Sequence, residues 1–435
     1  MTTINHVRGE DAVVVRTNSA WDVAGRAVLG AIVAAWAAVL GLVLTHGIFV
    51  TNDSLSNYGH VWYVADRFWG GHGVPYHMPV MGHGLALAFP YAFIPWFTAA
   101  LFRPLLGDWV VTLWLVAGFV GLVGAQFWAF PELRRPWTAV ILLLNPFLVE
   151  ALLLGQLPFL WSAGLLFIAV GLWRRRHPNW AVLLAGLAQA THPPVMMPLV
   201  LLIAAVALAR DAEGRGRTII AYVSTVAIAL PAVYMVFASP VVEDTRLVTQ
   251  VANLGGTVGW RLVVVAAPFL LTWQLPHLRG ALPPALAGAC VAATLALIPL
   301  RHDDYGWGAL TRRPDESLQA FIRSPAFHAG ATYRILRAGD GKVGMYDLIR
   351  GGARIDSEFF PESIDRRSWT STDNYAAFLA ARGVEYVIVY GNYDSTWHTN
   401  EHDLLRQLSQ ADCVRFCASF AAGTQDYEVY AINGP

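Results

Sequence analysis

Apolar and polar positions divide the chain into two unequal parts. Up to residue 300 the apolar positions run together, at 27–50, 84–102, 109–130, 137–154, 157–173, 180–209, 218–238, 259–275 and 280–299. Several of these runs approach or exceed the roughly 20 residues a helix needs to cross a bilayer. The expected fold is therefore an all-α polytopic membrane bundle. After Leu300 the runs break up, beginning with the polar stretch RHDDYGWGALTRRPDES. KVGMYDL (342–348), VEYVIVYG (384–391) and YEVYAI (427–432) alternate or are β-rich, which predicts strands. DNYAAFLAARG (373–383) predicts a helix with Asp373 near its N-cap and Gly383 as its stop, and NEHDLLRQLSQ (400–410) a second one. FFPESIDRRSW (359–369) reads as the loop ahead of the first of these helices. Residues 301–435 thus read as a small α/β domain, a packed cap with an acceptor-binding or structural role. It carries neither a phosphate-binding glycine motif nor a nucleophile elbow.

Charge orients the runs. Arginines cluster in PELRRP (131–136), WRRRH (173–177) and RDAEGRGR (210–217), and positively charged short loops belong on the cytoplasmic side. If every run crossed once, the three clusters could not share a side. Two changes repair this. The run 84–102 holds Pro90 and Pro95, which break helices, so it is read as lying in the interface. The run 180–209 is broken by Thr191-His192-Pro193-Pro194, so it is read as two short helices whose turn points outward. Nine crossings result, with residues 1–26 cytoplasmic and 27–300 forming the transmembrane domain. Its outer loop, 51–108, carries in-plane helices, and 301–435 is extracytoplasmic. Arg67, Arg103 and Arg246 are then the outer-loop cations, and Arg261 sits near the outer end of its run.

Composition agrees with a membrane protein. The chain is 56% hydrophobic and 14% charged, where a soluble domain averages about a quarter charged. A formal net charge of zero excludes the basic footprint of a nucleic-acid partner. The run 27–50 is too long for a signal-peptide core and is expected to be a retained helix in a multi-pass protein of the plasma membrane. Cys290 lies in an apolar run, and Cys413 and Cys417 could pair only across a turn.

The loop behind the first run is chemically unusual. TNDSLSNYGHVWYVADRFWGGHGVPYHMPVMGHG (51–84) sets Asp53 at the end of the run. His60, His72, His77 and His83 follow, interleaved with Tyr58, Trp62, Tyr63, Trp69 and Tyr76. The topology puts this loop on the same face as Glu150, Gln156 and His192. Other readings of these residues stay open. Asn-Asp-Ser is a good helix N-cap, and aromatics populate membrane interfaces in any case. Gln156 and Glu150 could be ordinary helix-end groups, although an acid in a short apolar helix is costly and favours function. His192 could serve only carbonyls freed by its two prolines. The histidine spacings match no standard zinc pattern, so no metal or other cofactor is expected and nothing indicates a divalent ion. Arg366-Arg367 read as a solvated pair.

Several segments together resemble the type C glycosyltransferases (the GT-C fold), membrane enzymes that use polyprenyl-phosphate sugars. TNDSLSNYGHVWYVADRFWGGHGVPYHMPV is similar to the family's first outer loop, and GHGLALAFPYAFIPW to its second in-plane helix. LNPFLVEALLLGQLPFLWSAGLL (144–166) resembles the Asn-Pro and Gly-Gln segment of the polyprenyl-phosphate mannosyltransferase branch. GLAQATHPP (186–194) resembles a helix that in many members ends in lysine before proline, with His192 in the lysine's place. FLAARGVEYVIVYGNYD (378–394) is similar to the outer tail strand of bacterial 6-pyruvoyl-tetrahydropterin-synthase-related membrane proteins. The family's acidic motif is often a carboxylate pair, whereas this chain has Asn52-Asp53, a single acid.

The resemblance implies a transferase on the outer face. It would move a sugar from a polyprenyl-phosphate donor to a glycan, lipid or protein acceptor of the envelope. Asp53 would be the general base, an effect of about 10²–10⁴-fold in rate. Cations and fixed donors would stabilise the departing lipid phosphate. Asn52, Asn57, His60, Trp62, Arg67, Tyr76, His77, His83, Glu150, Gln156 and His192 are the candidate substrate-binding residues. Two rival readings remain: a lipid or lipid-sugar transporter or flippase, and a non-catalytic envelope-assembly protein on the same fold. Transporters tend to carry internal repeats and midplane polar groups. Here no repeat is visible and the polar groups gather on one face.

Overall fold

The structure is a computed structural model. It describes residues 20–49, 51, 54–75, 77–80, 85–86, 92–210, 214–237, 259, 261–273, 282–300, 310–311, 316–335, 341–356, 368–397, 399–411, 414–422 and 425–432. The apolar part is helical. Its elements are α1 (Ala20–Leu44), α2 (Ser54–Arg67), α3 (Phe93–Leu106), α4 (Trp109–Ala129), α5 (Pro136–Leu143), α6 (Pro146–Leu153), α7 (Leu157–Arg174), α8 (Pro178–Thr191), α9 (Pro193–Arg210), α10 (Arg215–Phe237), α11 (Arg261–Trp273) and α12 (Leu282–Leu300). Within α1, α4, α7 and α10 the helix is long and apolar enough to cross a membrane. The bent pair α5–α6 makes a fifth if it counts as one span. At 1.5 Å per residue the 21 residues of α4 reach about 32 Å, the thickness of a hydrocarbon core. Among the other apolar helices, α3, α9, α11 and α12 are shorter in their qualifying stretches.

Helix directions follow from contacts between small and large residues. Gly118 faces Trp161, Gly164 faces Leu122 and Gly171 faces Trp128, so α4 and α7 run parallel and in step. The missing side chains let the backbones approach, as small residues do between apolar helices. Parallel helices need a return path, and α5–α6 supplies it with a 42° bend. The bend falls at Asn145-Pro146, where proline cannot donate to the preceding turn. The Asn145 side chain accepts from the Phe147 amide at 3.1 Å instead.

One end of the bundle gathers the arginine clusters. Arg174 pairs with Glu132 at 2.5 Å, and Arg217 lies over the Trp173 ring at 5.1 Å, so all three clusters share that end. The opposite end collects the turn between α8 and α9. There the Ala92 amide donates to the Thr191 carbonyl at 3.1 Å, and Trp109 Nε1 donates to the Leu44 carbonyl at 2.9 Å. The break expected at His192 is present, and its turn lies at the end away from the arginines. The run 84–102 forms no single helix. Leu85–Ala86 is a short strand (β2) paired with His77–Met78 (β1), and α3 starts only at Phe93. Of the second in-plane helix expected from GHGLALAFPYAFIPW, the described residues show helix over the last four positions, Phe93 to Trp96, while 87–91 lie outside the described residues.

The tail is an α/β domain with a five-stranded mixed sheet. Its strands β3 (Thr332–Ile335), β4 (Arg354–Ile355), β5 (Tyr386–Tyr390), β6 (Val414–Ala422) and β7 (Gln425–Ile432) lie in the order β4-β3-β5-β7-β6. β3 is parallel to β4 and β5, and the hairpin β6–β7 joins β5 antiparallel. The helices are α13 (Glu316–Ile322), α14 (Gly341–Arg350), α15 (Thr372–Ala381), α16 (Tyr393–Trp397) and α17 (Glu401–Gln410). The strands expected at 384–391 and 427–432 and both helices are present. KVGMYDL is not a strand but part of α14. Met345, Leu348 and Ile349 are buried at helical spacing, and a seven-residue window satisfies both periods. Ser371 caps α15 through its side chain, and Asp373 lies in the first turn as expected. The loop 359–369 lies outside the described residues except for its last two positions, as does Cys413; Cys417 is a free thiol.

A buried ion network pins this domain together. Arg334 on β3 is fully buried and bonds Asp356 at 3.1 Å and Glu401 at 2.6 Å. Arg382 bonds Asp356 at 2.7 Å, and the Tyr393 hydroxyl donates to Glu401 at 2.7 Å. Buried charge is tolerated when paired and hydrogen-bonded in this way. The tail docks on the bundle end opposite the arginine clusters. Asp108, in the turn before α4, accepts from Arg103 at 2.9 Å, Tyr346 at 2.7 Å and Arg350 at 2.8 Å. The Ile355 amide donates to the Val80 carbonyl at 2.8 Å. Burial, and then the Asp108 carboxylate, push the Tyr346 hydroxyl well above its ordinary pKa, so it stays a donor.

Candidate functional site

Beneath the docked tail, residues from six elements form one buried polar cluster. α2 supplies Asn57 and His60, one helical turn apart and therefore on one face. Asn57 Nδ2 donates to the Gly155 carbonyl at 2.8 Å, at the corner between α6 and α7. Trp96 of α3 donates from Nε1 to Asn57 Oδ1 at 3.1 Å. The His60 ring stacks on the Trp96 ring with centroids 3.9 Å apart and planes 8° apart.

Gln156 follows Gly155, whose φ of +72° makes the tight corner that glycine favours. Arg261, the first residue of α11, donates from Nη2 to Gln156 Oε1. Its guanidinium also lies over the Phe159 ring at 5.9 Å. The same ring and His192, in the α8–α9 break, meet at a steep angle with centroids 6.0 Å apart. Asn57, His60, Gln156, His192 and Arg261 are all under a tenth exposed. The groups brought together are one guanidinium, two imidazoles, two amides and an indole. In such a desolvated setting a cation interacts several times more strongly than in water. The arrangement can hold an anionic group while amides and ring faces orient a polar partner.

Of the residues singled out in the sequence, Asn57, His60, Gln156, His192 and Arg261 join this cluster. Glu150 is buried on α6, one turn before the corner. Trp62 is half-buried beside Tyr63, 6.3 Å between rings. Arg67 ends α2, about 15 Å along the helix from Asn57, and the structure does not bring it to the cluster. His77 is exposed on β1. Arg103 is engaged in the Asp108 junction. Asn52, Asp53, Tyr76, His83 and Arg246 lie outside the described residues. Asp53 immediately precedes α2, four positions before Asn57. Among the described residues no three His, Cys, Asp or Glu side chains gather as a metal group.

Trp96, Phe159, the Gly155 carbonyl and the Asp108 junction were not read from the sequence as site or docking elements. The available signal was proline: Pro95 precedes Trp96, and Gly155-Gln156-Leu157-Pro158 marks a helix start. A cavity of about 530 Å³ lies elsewhere, in the tail between α13 and β6, lined by Phe321, Pro325 and Phe420 among others. It is apolar and sits at the sheet edge opposite β4, so it shares nothing with the cluster.

Comparisons with protein-family models, with curated proteins and with solved structures find no match to this chain.

Proposed function

We propose that the protein is a membrane glycosyltransferase of the type C fold, moving a sugar from a polyprenyl-phosphate donor to an envelope acceptor. The observation that carries this reading is the convergence of Asn57, Gln156, His192 and Arg261 at one end of the bundle, with Asn57 on the helix that Asp53 precedes in the sequence. On this reading Asp53 takes the acceptor's proton. Arg261, seconded by His192, faces the departing lipid phosphate, and Asn57 and Gln156 orient sugar hydroxyls. Trp96 with His60 forms the wall that fixes Asn57. Helices α1, α4, α5–α6, α7, α8, α9, α10, α11 and α12 would make nine passes through the plasma membrane. The arginine end is then cytoplasmic, and the cluster and tail are extracytoplasmic. The tail closes the site and meets the acceptor.

The test is transfer by purified full-length protein from a labelled polyprenyl-phosphate sugar. Product is expected from wild type, with a loss of about 10²–10⁴-fold in Asp53→Asn at unchanged thermal stability. Equal activity in both would remove Asp53 as the base. Labelled lipid carried between leaflets with no bond formed would replace the transferase reading by the transporter one.

A further inference from the structure

The arginine end of the bundle is not used by the proposed chemistry. Among its described cations Arg174, Arg175, Arg215 and Arg217 each engage a carbonyl, carboxylate or ring of the bundle, whereas Arg134, Arg135 and Arg176 do not. Arg174 is spent on structure, bonding Glu132 and the Ala129 carbonyl. Arg175 donates to the Gly171 and Trp128 carbonyls and stacks over the Trp128 ring at 3.9 Å. Arg134, Arg135 and Arg176 are exposed instead, and none of them forms a salt bridge among the described residues. Of the carboxylates described at this end, Glu132 is taken by Arg174, and Asp22 lies in the first turn of α1. Asp211 and Glu213 belong to the linker outside the described residues.

Arg176 adds an independent observation. It has a φ of +63°, the left-handed region, at the C-terminus of α7. The His177 amide donates to the Leu172 carbonyl at 2.9 Å and the Arg176 amide to the Trp173 carbonyl at 3.0 Å. This is the helix-ending motif whose left-handed position is ordinarily glycine. A β-carbon there is strained, yet the position holds a guanidinium aimed at solvent. Such strain persists where the side chain has a use. Trp180, 63% exposed, and Trp173, 37% exposed, stand at the same end. Indoles favour the headgroup level of a bilayer, and α4, α7 and α10, each of crossing length, have an end here.

We propose that this end binds anionic lipid headgroups, with Arg134, Arg135 and Arg176 presented to the phosphate oxygens and Trp173 and Trp180 seated among the headgroups. Guanidinium suits phosphate because its donors form a planar fork. The commitment is to a bilayer lipid rather than a free anion, because the cations form an exposed rim with membrane-seeking indoles and not an enclosed pocket. The inference is independent of the transferase reading, since no activity enters its test.

The experiment is retention of phosphatidylglycerol against phosphatidylcholine by purified full-length protein in mixed-lipid nanodiscs, read by native mass spectrometry. Wild type should retain phosphatidylglycerol selectively. Combined Arg134→Gln, Arg135→Gln and Arg176→Gln should weaken that retention about a hundredfold, at roughly fivefold per cation near an anionic surface. Phosphatidylcholine retention and melting temperature should not fall. Arg176→Gly alone should raise the melting temperature while weakening phosphatidylglycerol retention about fivefold, separating cation from backbone. Selectivity unchanged in the triple variant, or absent in wild type, would overturn the proposal. Displacement of the lipid by excess inorganic phosphate would overturn it too, assigning the cations to a free anion.

Discussion

At one end of the bundle Arg261 is buried, bonded to Gln156 and set over an aromatic ring. At the other, Arg134, Arg135 and Arg176 stand in solvent. The same side chain therefore operates under two dielectric regimes. A desolvated guanidinium acts strongly on one neighbouring group, because its field is little screened. Exposed guanidiniums act weakly and collectively, within about 10 Å at moderate salt. The tail supplies a third case, Arg334, fully buried and bonded to two carboxylates. A single substitution should therefore matter greatly at Arg334 and Arg261 and little at the exposed rim.

The largest effect is expected in the tail. Arg334→Ala would leave Asp356 and Glu401 buried without their shared cation, a loss of about 3–5 kcal/mol. Proteolysis of the tail, followed while the bundle stays intact, is the direct measurement. Replacing the three fully buried ions together, as Arg334→Met, Asp356→Leu and Glu401→Leu, should recover only part of that stability: packed apolar groups often equal a buried ion network, but Arg382 and Tyr393 lose their acceptors. Next comes Arg261→Gln. If Arg261 holds a developing negative charge, transfer should fall by about 10²–10³-fold, the effect of losing one fixed donor. Arg134→Gln should leave the transfer rate unchanged. Equal losses in the two variants would dissolve the contrast between the ends.

Much of this arrangement was legible in the sequence, for identifiable reasons. Proline marked the break at His192-Pro193, which was read from the chain; the bend at Asn145-Pro146 carries the same residue type but was passed over inside the run 137–154. Arginine clusters are strong markers of sidedness, and PELRRP, WRRRH and RDAEGRGR do share one end. What failed was short-range periodicity. KVGMYDL fits a strand as well as a helix within seven residues. Thr332–Ile335 is too short to show alternation, and in β6 the register shifts between Phe416 and Ala418, which hides the period. Within the site, Gln156 stood out as a polar residue near a helix end and His60 as one histidine of the unusual loop. Trp96 did not, because it is one aromatic among several in FPYAFIPWF. Arg67 was chosen as an outer-loop cation, and charge and sidedness alone do not show that it lies about 15 Å along its helix from Asn57.

Smaller effects test how the tail and the ends are joined. Asp108→Asn keeps the shape of the junction but removes the charge that Arg103 and Arg350 share. It should loosen the tail by about 1–3 kcal/mol, since hydrogen bonds to a charged acceptor become neutral ones. Hydrogen exchange in α14 is the readout. Arg350→Gln should do less, because Arg350 is partly exposed while Tyr346 remains bonded.

The smallest effect belongs to the arginine end, and its sign is fixed by titration. The Arg174 guanidinium, through its hydrogen bond, holds the Glu132 carboxyl below its ordinary value, with burial opposing it. The folded carboxylate therefore has the lower pKa. Its stabilisation is complete above the unfolded value, near 4.5, and is lost as pH falls through the folded one. Both side chains are 39% exposed, so the pair contributes at most about 1 kcal/mol and less in high salt. Glu132→Gln should leave the melting temperature almost unchanged at neutral pH and flatten its decline below about pH 4.5. A drop of several degrees at neutral pH would mean that this contact, like Arg334, works as a buried pair, and the contrast between the two ends would need redrawing.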